Sequence, residues 1–191
     1  MPPPSGSPAP RGAQDPRVTR TRRDVVGTAV DLLVTGGWDR VTHAEVARLA
    51  GYSKATVYSH WPTRLDLIRD AVDQICDAAD HPEPSGELRV DLVMGLTDFA
   101  TDLTGRLARL LGGVIERAGN DPTVEQLRQR LYDTGTAMLR TVLETHLAPR
   151  DIAPVLAMLT GGVFVRVAFE GQQPSTALVE DLVDRVLASV T

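Results

Sequence analysis

Several side chains able to bond a phosphate or a base edge lie close together in the segment KATVYSH. If this segment is helical, Lys54 and Tyr58 share one face, and Thr56 and His60 share the adjoining one. Ammonium, hydroxyl and imidazole groups bind phosphate oxygens and base edges in DNA. Ala55 is small enough for the helix to approach closely, and its methyl can contact a thymine methyl. The chemistry that these residues offer is nucleic-acid binding.

Catalytic patterns are missing from the sequence. The histidines at positions 43, 60, 81 and 146 are scattered, and no zinc-protease, serine-hydrolase, P-loop or dinucleotide motif occurs. A single cysteine, Cys76, provides no zinc cluster. We therefore expect no enzyme and no cofactor, with an enzyme of unrecognised type as the remote alternative.

A row of four carboxylates is the one arrangement that suggests a metal. Its members recur at spacings of four, three and four along one helix face: Asp66, Asp70, Asp73 and Asp77. Consecutive helical turns hold their oxygens too far apart for one ion, and no His or Cys joins them at ligand spacing. The row is interpreted as a solvated acidic face, and no metal site is expected.

The stretch VTHAEVARLAGYSKATVYSHWPTRLDL predicts two short helices and the start of a third. Thr42 is placed to cap the first helix, with Glu45 three residues on, and Gly51 can end it in the left-handed region. Ser53 is placed to cap the second helix, in which Val57 points inward. Two such helices around a tight turn form a helix-turn-helix, whose second helix enters the major groove.

Phosphate contacts are expected around these helices. The helix N-termini at Thr42 and Ser53 favour an adjacent phosphate. Arg64 opens the following helix, where a cation is unfavourable unless a phosphate lies nearby. Arg17 and Arg20 belong to a basic arm that would lie on the DNA backbone, the alternative being a solvated helix end. The full set of candidate DNA contacts is Arg17, Arg20, Thr42, Ser53, Lys54, Ala55, Thr56, Tyr58, His60 and Arg64.

The charge distribution agrees with a nucleic-acid-binding head. Residues 1–64 hold 9 Lys+Arg against 5 Asp+Glu, whereas residues 65–191 hold 11 against 20. The net charge of −5 therefore conceals a basic N-terminal module on an acidic body. Hydrophobic residues at 42% describe an ordinary globular chain. The unpaired cysteine and the proline-rich start without an apolar signal region predict a cytoplasmic protein. No membrane span is expected, because the most apolar late stretch, GGVFVRVAF, is interrupted by Arg166.

Apolar periodicity of 3.6 predicts an all-α fold of about nine helices without strands. A disordered tail at 1–16 precedes a three-helix helix-turn-helix domain at 17–62 and a connecting helix at 63–80. The break HPEPSG then opens a helical ligand-binding and dimerisation domain at 81–191. The helices expected in this domain span residues 87–103, 105–118, 123–147, 151–170 and 176–189.

The last two helices carry wide apolar bands at the C-terminal end of the sequence, which favours a four-helix interface between two subunits. The alternative is that both helices pack only on their own domain. Arg166 would form an ion pair at this interface or, less favoured, pair with an acidic effector. The candidate interface residues are Leu159, Gly162, Val163, Arg166, Leu178, Leu182 and Val186.

One family shares this combination of residues. The head resembles the N-terminal domain of the tetracycline-repressor (TetR/AcrR) family over about 50 residues. Trp61 stands where the family usually has phenylalanine, and Arg64 where lysine is commonest; both keep the chemical type. Residues 88–190 resemble the family's divergent second half more loosely. The matching positions are Thr42, Glu45-Val46-Ala47, Ala50-Gly51-Tyr52-Ser53-Lys54, Thr56-Val57-Tyr58, Trp61-Pro62, Arg64 and Leu67.

The resemblance implies a homodimeric transcription regulator, usually a repressor, that binds a pseudo-palindromic double-stranded DNA operator. It further implies dimerisation through the last two helices, and release from DNA when a small molecule enters the helical body. The effector is expected to be hydrophobic; a DNA-binding scaffold without any effector is the alternative. The candidate pocket residues, which would serve equally well as core, are Val72, Ile75, Met94, Phe99, Leu110 and Tyr132.

Overall fold

The computed structural model describes residues 16–190, with only the backbone of Val190, and this part of the chain is all-α. Ten α-helices and one short 3-10 helix, Trp38–Arg40, occur in it, and no strand. The predicted fold class is confirmed. The helices are α1 Pro16–Gly36, α2 His43–Ala50, α3 Lys54–His60, α4 Arg64–Asp77, α5 Leu88–Thr104, α6 Ala108–Ala118, α7 Pro122–Gly135, α8 Ala137–His146, α9 Pro149–Ala168 and α10 Thr176–Val190.

Two of the segment boundaries predicted from the sequence can be compared with these helices. The tail predicted at 1–16 lies outside the described residues except for Pro16, which begins α1. The single helix predicted at 123–147 is wrong, because α7 ends at Gly135 and α8 begins one residue after Thr136. The hydroxyl and the N–H of buried Thr136 both donate to the carbonyl of Tyr132 (2.7 and 3.0 Å). Glycine is a poor helix former, so the break falls where propensity is lowest.

The helices of the head begin at the predicted caps. The Thr42 hydroxyl accepts the N–H of Glu45 at 3.2 Å, and the Ser53 hydroxyl accepts the N–H of Thr56 at 3.0 Å. Gly51 ends α2 with φ of 77°. The Glu45 carboxylate pairs with Arg48 at 2.9 Å, so the reciprocal half of the expected capping box is replaced by a surface ion pair.

The acidic row on α4 is an anchor between helices, which corrects its interpretation as a solvated face. Asp70 accepts hydrogen bonds from the indole N–H of Trp61 at 2.8 Å and from Arg22 at 2.6 Å. Arg22 also lies over the Trp61 ring, 5.2 Å from its centroid. Arg130 of α7 pairs with the two following aspartates, Asp73 and Asp77, at 2.9 and 2.7 Å. These bonds join α4 to α1, to the end of α3 and to α7.

Two apolar cores are present, and the division between them does not follow the chain. The first lies under α1–α4 and includes Leu110 and Val114 of α6 with Leu127 and Leu131 of α7. The second joins α5, α8, α9 and α10. The predicted boundary at residue 81 separates the segments in sequence, whereas the core of the head continues into α6 and α7.

The contact between α6 and the head is close. A Cβ placed on Gly113 would lie 2.9 Å from the Cβ of Trp38, so only glycine fits without displacement. Arg117, one turn further, lies over the Trp38 ring at 5.6 Å and pairs with Asp39 at 3.3 Å. A helix of the body is thereby seated directly on the 3-10 helix that precedes α2.

The segment between α4 and α5 is held by one carboxylate. Asp91 is buried and accepts hydrogen bonds from the N–H and hydroxyl of Ser85 (2.8 and 2.7 Å) and from the N–H of Gly86 (2.9 Å). The Ser85 hydroxyl, followed by the two backbone amides, holds the pKa of Asp91 below its usual range. The junction is therefore fastened to the first turn of α5.

Among residues 16–190, α9 is long and apolar enough to cross a membrane by length and composition, with 28% of the relevant window buried. One such helix is weak support for a membrane span, since core and interface helices meet the same criterion.

Two adjacent glycines of α6 allow a matched test of its seat on Trp38. A Cβ at Gly112 meets no atom within 4 Å, so Gly112→Ala should stabilise the protein by up to about 1 kcal/mol through helix propensity. Gly113→Ala gains the same propensity but overpacks Trp38, which costs about 1–3 kcal/mol. Denaturant unfolding should place Gly113→Ala below Gly112→Ala by that amount. Equal free energies of unfolding would show that α6 does not lie tightly on Trp38.

Candidate DNA-binding surface and ligand cavity

The outer face of α3 carries the predicted recognition residues. Lys54 and Ala55 are exposed, and Tyr58 is 52% exposed. Val57 and Trp61 are buried in the head, as their spacing predicted. A short helix is thus held by its inner side while its N-terminal residues face solvent, which is the arrangement that a recognition helix requires.

The ring of Tyr58 is held by a residue that sequence reasoning missed. His43 stacks on Tyr58 with ring centroids 4.0 Å apart and planes at 9°. The His43 Nε2 lies 2.7 Å from the carbonyl oxygen of Trp61, and since a carbonyl only accepts, Nε2 carries the proton. His43 is buried although it is the first residue of α2, a position usually exposed. No local pattern indicated this; only the packing of α2 against α3 shows it.

The other two candidates on α3, Thr56 and His60, are less exposed to solvent. Thr56 is half-buried, and its hydroxyl lies 2.8 Å from that of the cap Ser53. His60 is half-buried against Trp61, with ring centroids 5.5 Å apart. Ser59, which was not predicted, is exposed next to Tyr58 in the chain, and its hydroxyl donates to the carbonyl of Thr56 at 2.7 Å.

The basic candidates divide into two groups. Arg17 and Arg20 are exposed on the first turns of α1, and Arg20 lies 3.7 Å from Asp24. Arg64 is different, because its guanidinium donates to the carbonyls of Val41 at 2.7 Å and Trp38 at 2.5 Å. These carbonyls explain a cation at the start of α4 without a phosphate. The phosphate contact of Arg64 stays a prediction. In the structure Arg64 also joins α4 to the 3-10 helix.

A largely apolar cavity of about 440 Å³ lies in the body between α5, α6, α7 and α9. Two of the predicted pocket residues, Phe99 and Tyr132, line it. The other four predicted residues do not line this cavity. Val72 and Leu110 are fully buried in the first core, Ile75 reaches a different cavity, and Met94 is not among the described lining residues.

The different cavity is smaller, about 190 Å³, and polar. His81, Asp98, Asp102 and Arg106 line it, with the His81 Nδ1 2.7 Å from an Asp98 oxygen. It shares part of its wall with the apolar cavity: Asp102, Leu107, Leu131 and Gly135. An apolar chamber and a polar chamber therefore adjoin at the last turn of α5.

Three of the predicted interface residues need correction, and the other four stay predictions. Leu159, Val163 and Val186 are buried in the second core of their own subunit and have no surface for a partner. A Cβ on Gly162 would lie 2.9 Å from a Leu182 methyl carbon, so this glycine provides close packing of α9 on α10 within one chain. Arg166 pairs with Glu170 in the next turn at 2.5 Å, and Leu178 is half-buried.

α9 exposes a second apolar stripe. The sequence prediction placed the interface on other residues of this helix. Its members follow at spacings of three and four along the helix and are small or apolar. Met158 and Val165 are about half exposed. The stripe consists of Pro154, Ala157, Met158, Gly161 and Val165. Such a surface on a helix at the edge of a subunit is typical of a helix-packed interface.

Taken together, a capped helix-turn-helix on a helical body with an apolar cavity defines a DNA-binding regulator. Comparison with known proteins identifies the family. Residues 25–71 match the family described as bacterial regulatory proteins, tetR family, and residues 82–186 match the tetracyclin repressor-like C-terminal domain. The chain belongs to the TetR family of helix-turn-helix transcriptional regulators, and it is not an enzyme.

Individual relatives agree with this assignment. The uncharacterized HTH-type transcriptional regulator YdeS of Bacillus subtilis is 27% identical over 176 residues, covering 88% of each chain. The DNA-binding transcriptional repressor TetR of Mycobacteroides abscessus is 30% identical over 114 residues, covering 58% of this chain and 60% of that one. The crystal structure of the TetR family transcription regulator SCO0332 superposes with a TM-score of 0.68 and 25% identity, covering 90% and 99%.

The recognition face can be tested by removing its exposed groups. Lys54→Ala should weaken binding to the operator by about tenfold or more, because one good base or phosphate contact contributes roughly 1–3 kcal/mol. Tyr58→Phe should weaken it in the same direction by loss of the hydroxyl, with the ring still stacked on His43. Fluorescence anisotropy with operator DNA measures both.

Arg150→Ala provides the control, since it also removes an exposed positive charge, at the start of α9. It should bind DNA as the unaltered protein does, and all variants should keep their oligomeric state. Unchanged affinity in both Lys54→Ala and Tyr58→Phe would contradict the assignment of α3 as the recognition helix.

Proposed function

We propose that this protein is a ligand-released transcriptional repressor that binds a pseudo-palindromic operator as a homodimer. The observation that carries the proposal is the cavity of about 440 Å³ in a body whose helices share an apolar core with the helix-turn-helix. The relative from Mycobacteroides abscessus, a repressor by name, supports the direction of regulation. Because the proposed binding partner is DNA, we propose a cytoplasmic location.

The geometry of α6 supports the coupling of ligand to DNA binding. Leu111 and Ile115 of α6 line the apolar cavity. Gly113 and Arg117 of the same helix lie on Trp38, immediately before α2. A ligand that displaces α6 must therefore displace the 3-10 helix or break its close contact. In a dimer this movement changes the separation of the two recognition helices, and a rigid operator binds only one separation well.

The operator geometry follows from two-fold symmetry. Two identical recognition helices bind two half-sites related by the same symmetry, which makes the operator pseudo-palindromic. Successive major grooves on one side of B-DNA are about 34–36 Å apart, and this distance or a bent equivalent is the spacing required of the two copies of α3.

The exposed stripe of α9 supports the position of the dimer interface. In the isolated subunit it leaves Met158 and Val165 half in water, and burying such side chains is worth about 25 cal/mol per Å² of apolar surface. Gly161 and Ala157, the small residues of this stripe, also line the apolar cavity, so a partner helix packed on the stripe would lie beside the cavity. We propose that α9 and α10 of two subunits pack through this stripe, with Leu159, Val163 and Val186 supporting it from inside.

Dimerisation is tested by placing a charge in the stripe. Val165 is 47% exposed and is not part of the second core, so Val165→Asp should leave folding intact while burying an unpaired carboxylate in a dimer. Sedimentation equilibrium should show a monomer at concentrations where the unaltered protein is a dimer. Val18→Asp on α1, at a position 38% exposed, is the matched control and should remain dimeric. A dimeric Val165→Asp would place the interface elsewhere.

The proposed function as a whole is tested by a footprint on the DNA upstream of the protein's own gene. Protection should cover two symmetric half-sites and should need the dimer. It should be lost in Val165→Asp and should require a higher protein concentration in Lys54→Ala. Repeating the footprint with a panel of hydrophobic compounds tests release. Protection of a single half-site would contradict the symmetric dimer, and protection unaffected by every compound would favour a DNA-binding protein without an effector.

A further inference from the structure

One carboxylate in the body lies where the two cavities meet. Asp102, on the last turn of α5, lines both the apolar and the polar cavity. Among residues 16–190 it accepts no hydrogen bond and forms no ion pair within 4 Å. Most other acidic groups near helix contacts are bonded, as Asp70, Asp91 and Asp98 are. Half-burial penalises the charged form of this carboxylate, and a cation placed beside it would offset that penalty.

The charged neighbours of Asp102 do not compensate it. His81 directs its Nδ1 to Asp98 at 2.7 Å, and Arg106 acts on Asp102 only at longer range. Burial, and next the nearby Asp98 carboxylate, raise the pKa of Asp102, which means that the fold disfavours its charge. Arg128 also lines the apolar cavity, but its guanidinium is engaged by Glu125, with Nε 2.9 Å from the carboxylate.

The apolar side of the cavity is unusually rich in aromatic rings for this chain. The sequence has three Phe and three Tyr, and three of these six residues line this one cavity: Phe99, Tyr132 and Phe164. Ring faces attract cations through their quadrupole, by about 0.5–2 kcal/mol for each good contact. The cavity thus combines a carboxylate without a hydrogen-bond partner with three aromatic residues in its wall.

We propose that the effector is an apolar cation, an ammonium group attached to an aromatic or alicyclic body, with its charge against Asp102. This rests on the proposed function, in which the cavity is the effector site. The apolar body fills the space between Phe99, Leu103 and Phe164, and the ammonium group donates to the carboxylate at the wall shared with the polar cavity. An anionic ligand would meet repulsion from Asp102, and a neutral one would desolvate the carboxylate without replacing its lost water.

The location of Asp102 also suggests how binding is transmitted. The wall that it forms faces His81, in the segment that follows α4. Asp98, which holds His81, is one turn before Asp102 on α5. A cation at Asp102 alters the electrostatic balance of this cluster, so that ligand binding acts on the end of the connecting helix as well as on α6.

The experiment compares three ligands of one shape and different charge. Naphthylethylamine, naphthylethanol and naphthylacetate are titrated calorimetrically into the full-length protein at pH 7.5, without DNA. The amine should bind about tenfold to a hundredfold more tightly than the alcohol, the range for a hydrogen bond to a charged group. The acid should bind most weakly. Equal or tighter binding of the alcohol or the acid would overturn the proposal, as would binding of none of the three.

Asp102→Asn assigns the preference to this residue. The variant keeps the side chain's shape, so its affinity for the alcohol should stay the same while its affinity for the amine falls to that of the alcohol. Glu144→Gln, an exposed change on α8 with the same loss of charge, should keep the amine preference. A preference for the amine that survives Asp102→Asn would show that the cation lies elsewhere.

Thermal unfolding without ligand is the second measurement, and it also shows that the variant folds. A carboxyl whose pKa is raised by folding lowers stability at pH values above its unfolded pKa. Asp102→Asn should therefore melt at the same or a higher temperature than the unaltered protein at pH 7.5, with the difference disappearing as the pH falls below about 4. A lower melting temperature would mean that Asp102 is a structural group with a partner.

The assignment of the ligand class and the proposed function can be contradicted independently of each other. If the amine binds through Asp102 but footprints remain unchanged in its presence, the assignment of the cavity to a cation stands and the effector role fails. If the operator is released by neutral or acidic compounds while the amine shows no preference for Asp102, the effector role stands and the cation assignment fails.

Discussion

The head of this protein depends on the surroundings of Trp61. Its indole is buried and donates to Asp70, Arg22 lies over its ring, and its carbonyl accepts the proton of His43. One residue at the end of α3 thus contacts α1, α2 and α4, and His43 in turn supports Tyr58 on the outer face. The recognition helix has only two turns and too little propensity to stand alone, so its orientation is set by these contacts.

The contact between the body and the head also depends on one element, helix α6. α6 forms a wall of the apolar cavity on one side and lies on Trp38 through Gly113 on the other. Protein interiors are close-packed and switch between discrete arrangements instead of deforming continuously. A displacement of such a helix therefore moves the residues packed against it. Arg64, which joins the start of α4 to the carbonyls around Trp38, extends this contact to the connecting helix.

Asp102 carries a cost for the fold that the proposed binding site would explain. A carboxylate with a raised pKa and no bonded partner is destabilising, yet the apolar cavity beside it would be of little use for a cation without it. Asp91, eleven residues earlier on the same helix, has the opposite environment, with three donors that lower its pKa. The contrast separates a group that holds the structure from a group available to a ligand.

By itself the sequence determined the caps of the head, the φ of Gly51, the inward face of α3 and the all-α class, because these depend on hydrogen bonds and periodicities within a few residues. It also assigned the family, through the pattern around Lys54. Only the tertiary structure decided that Leu110 is core while Phe99 lines a cavity, and that Val165 rather than Val163 faces outward. Apolar stripes look alike in sequence, and which side of a stripe meets a neighbour is set by helices distant along the chain.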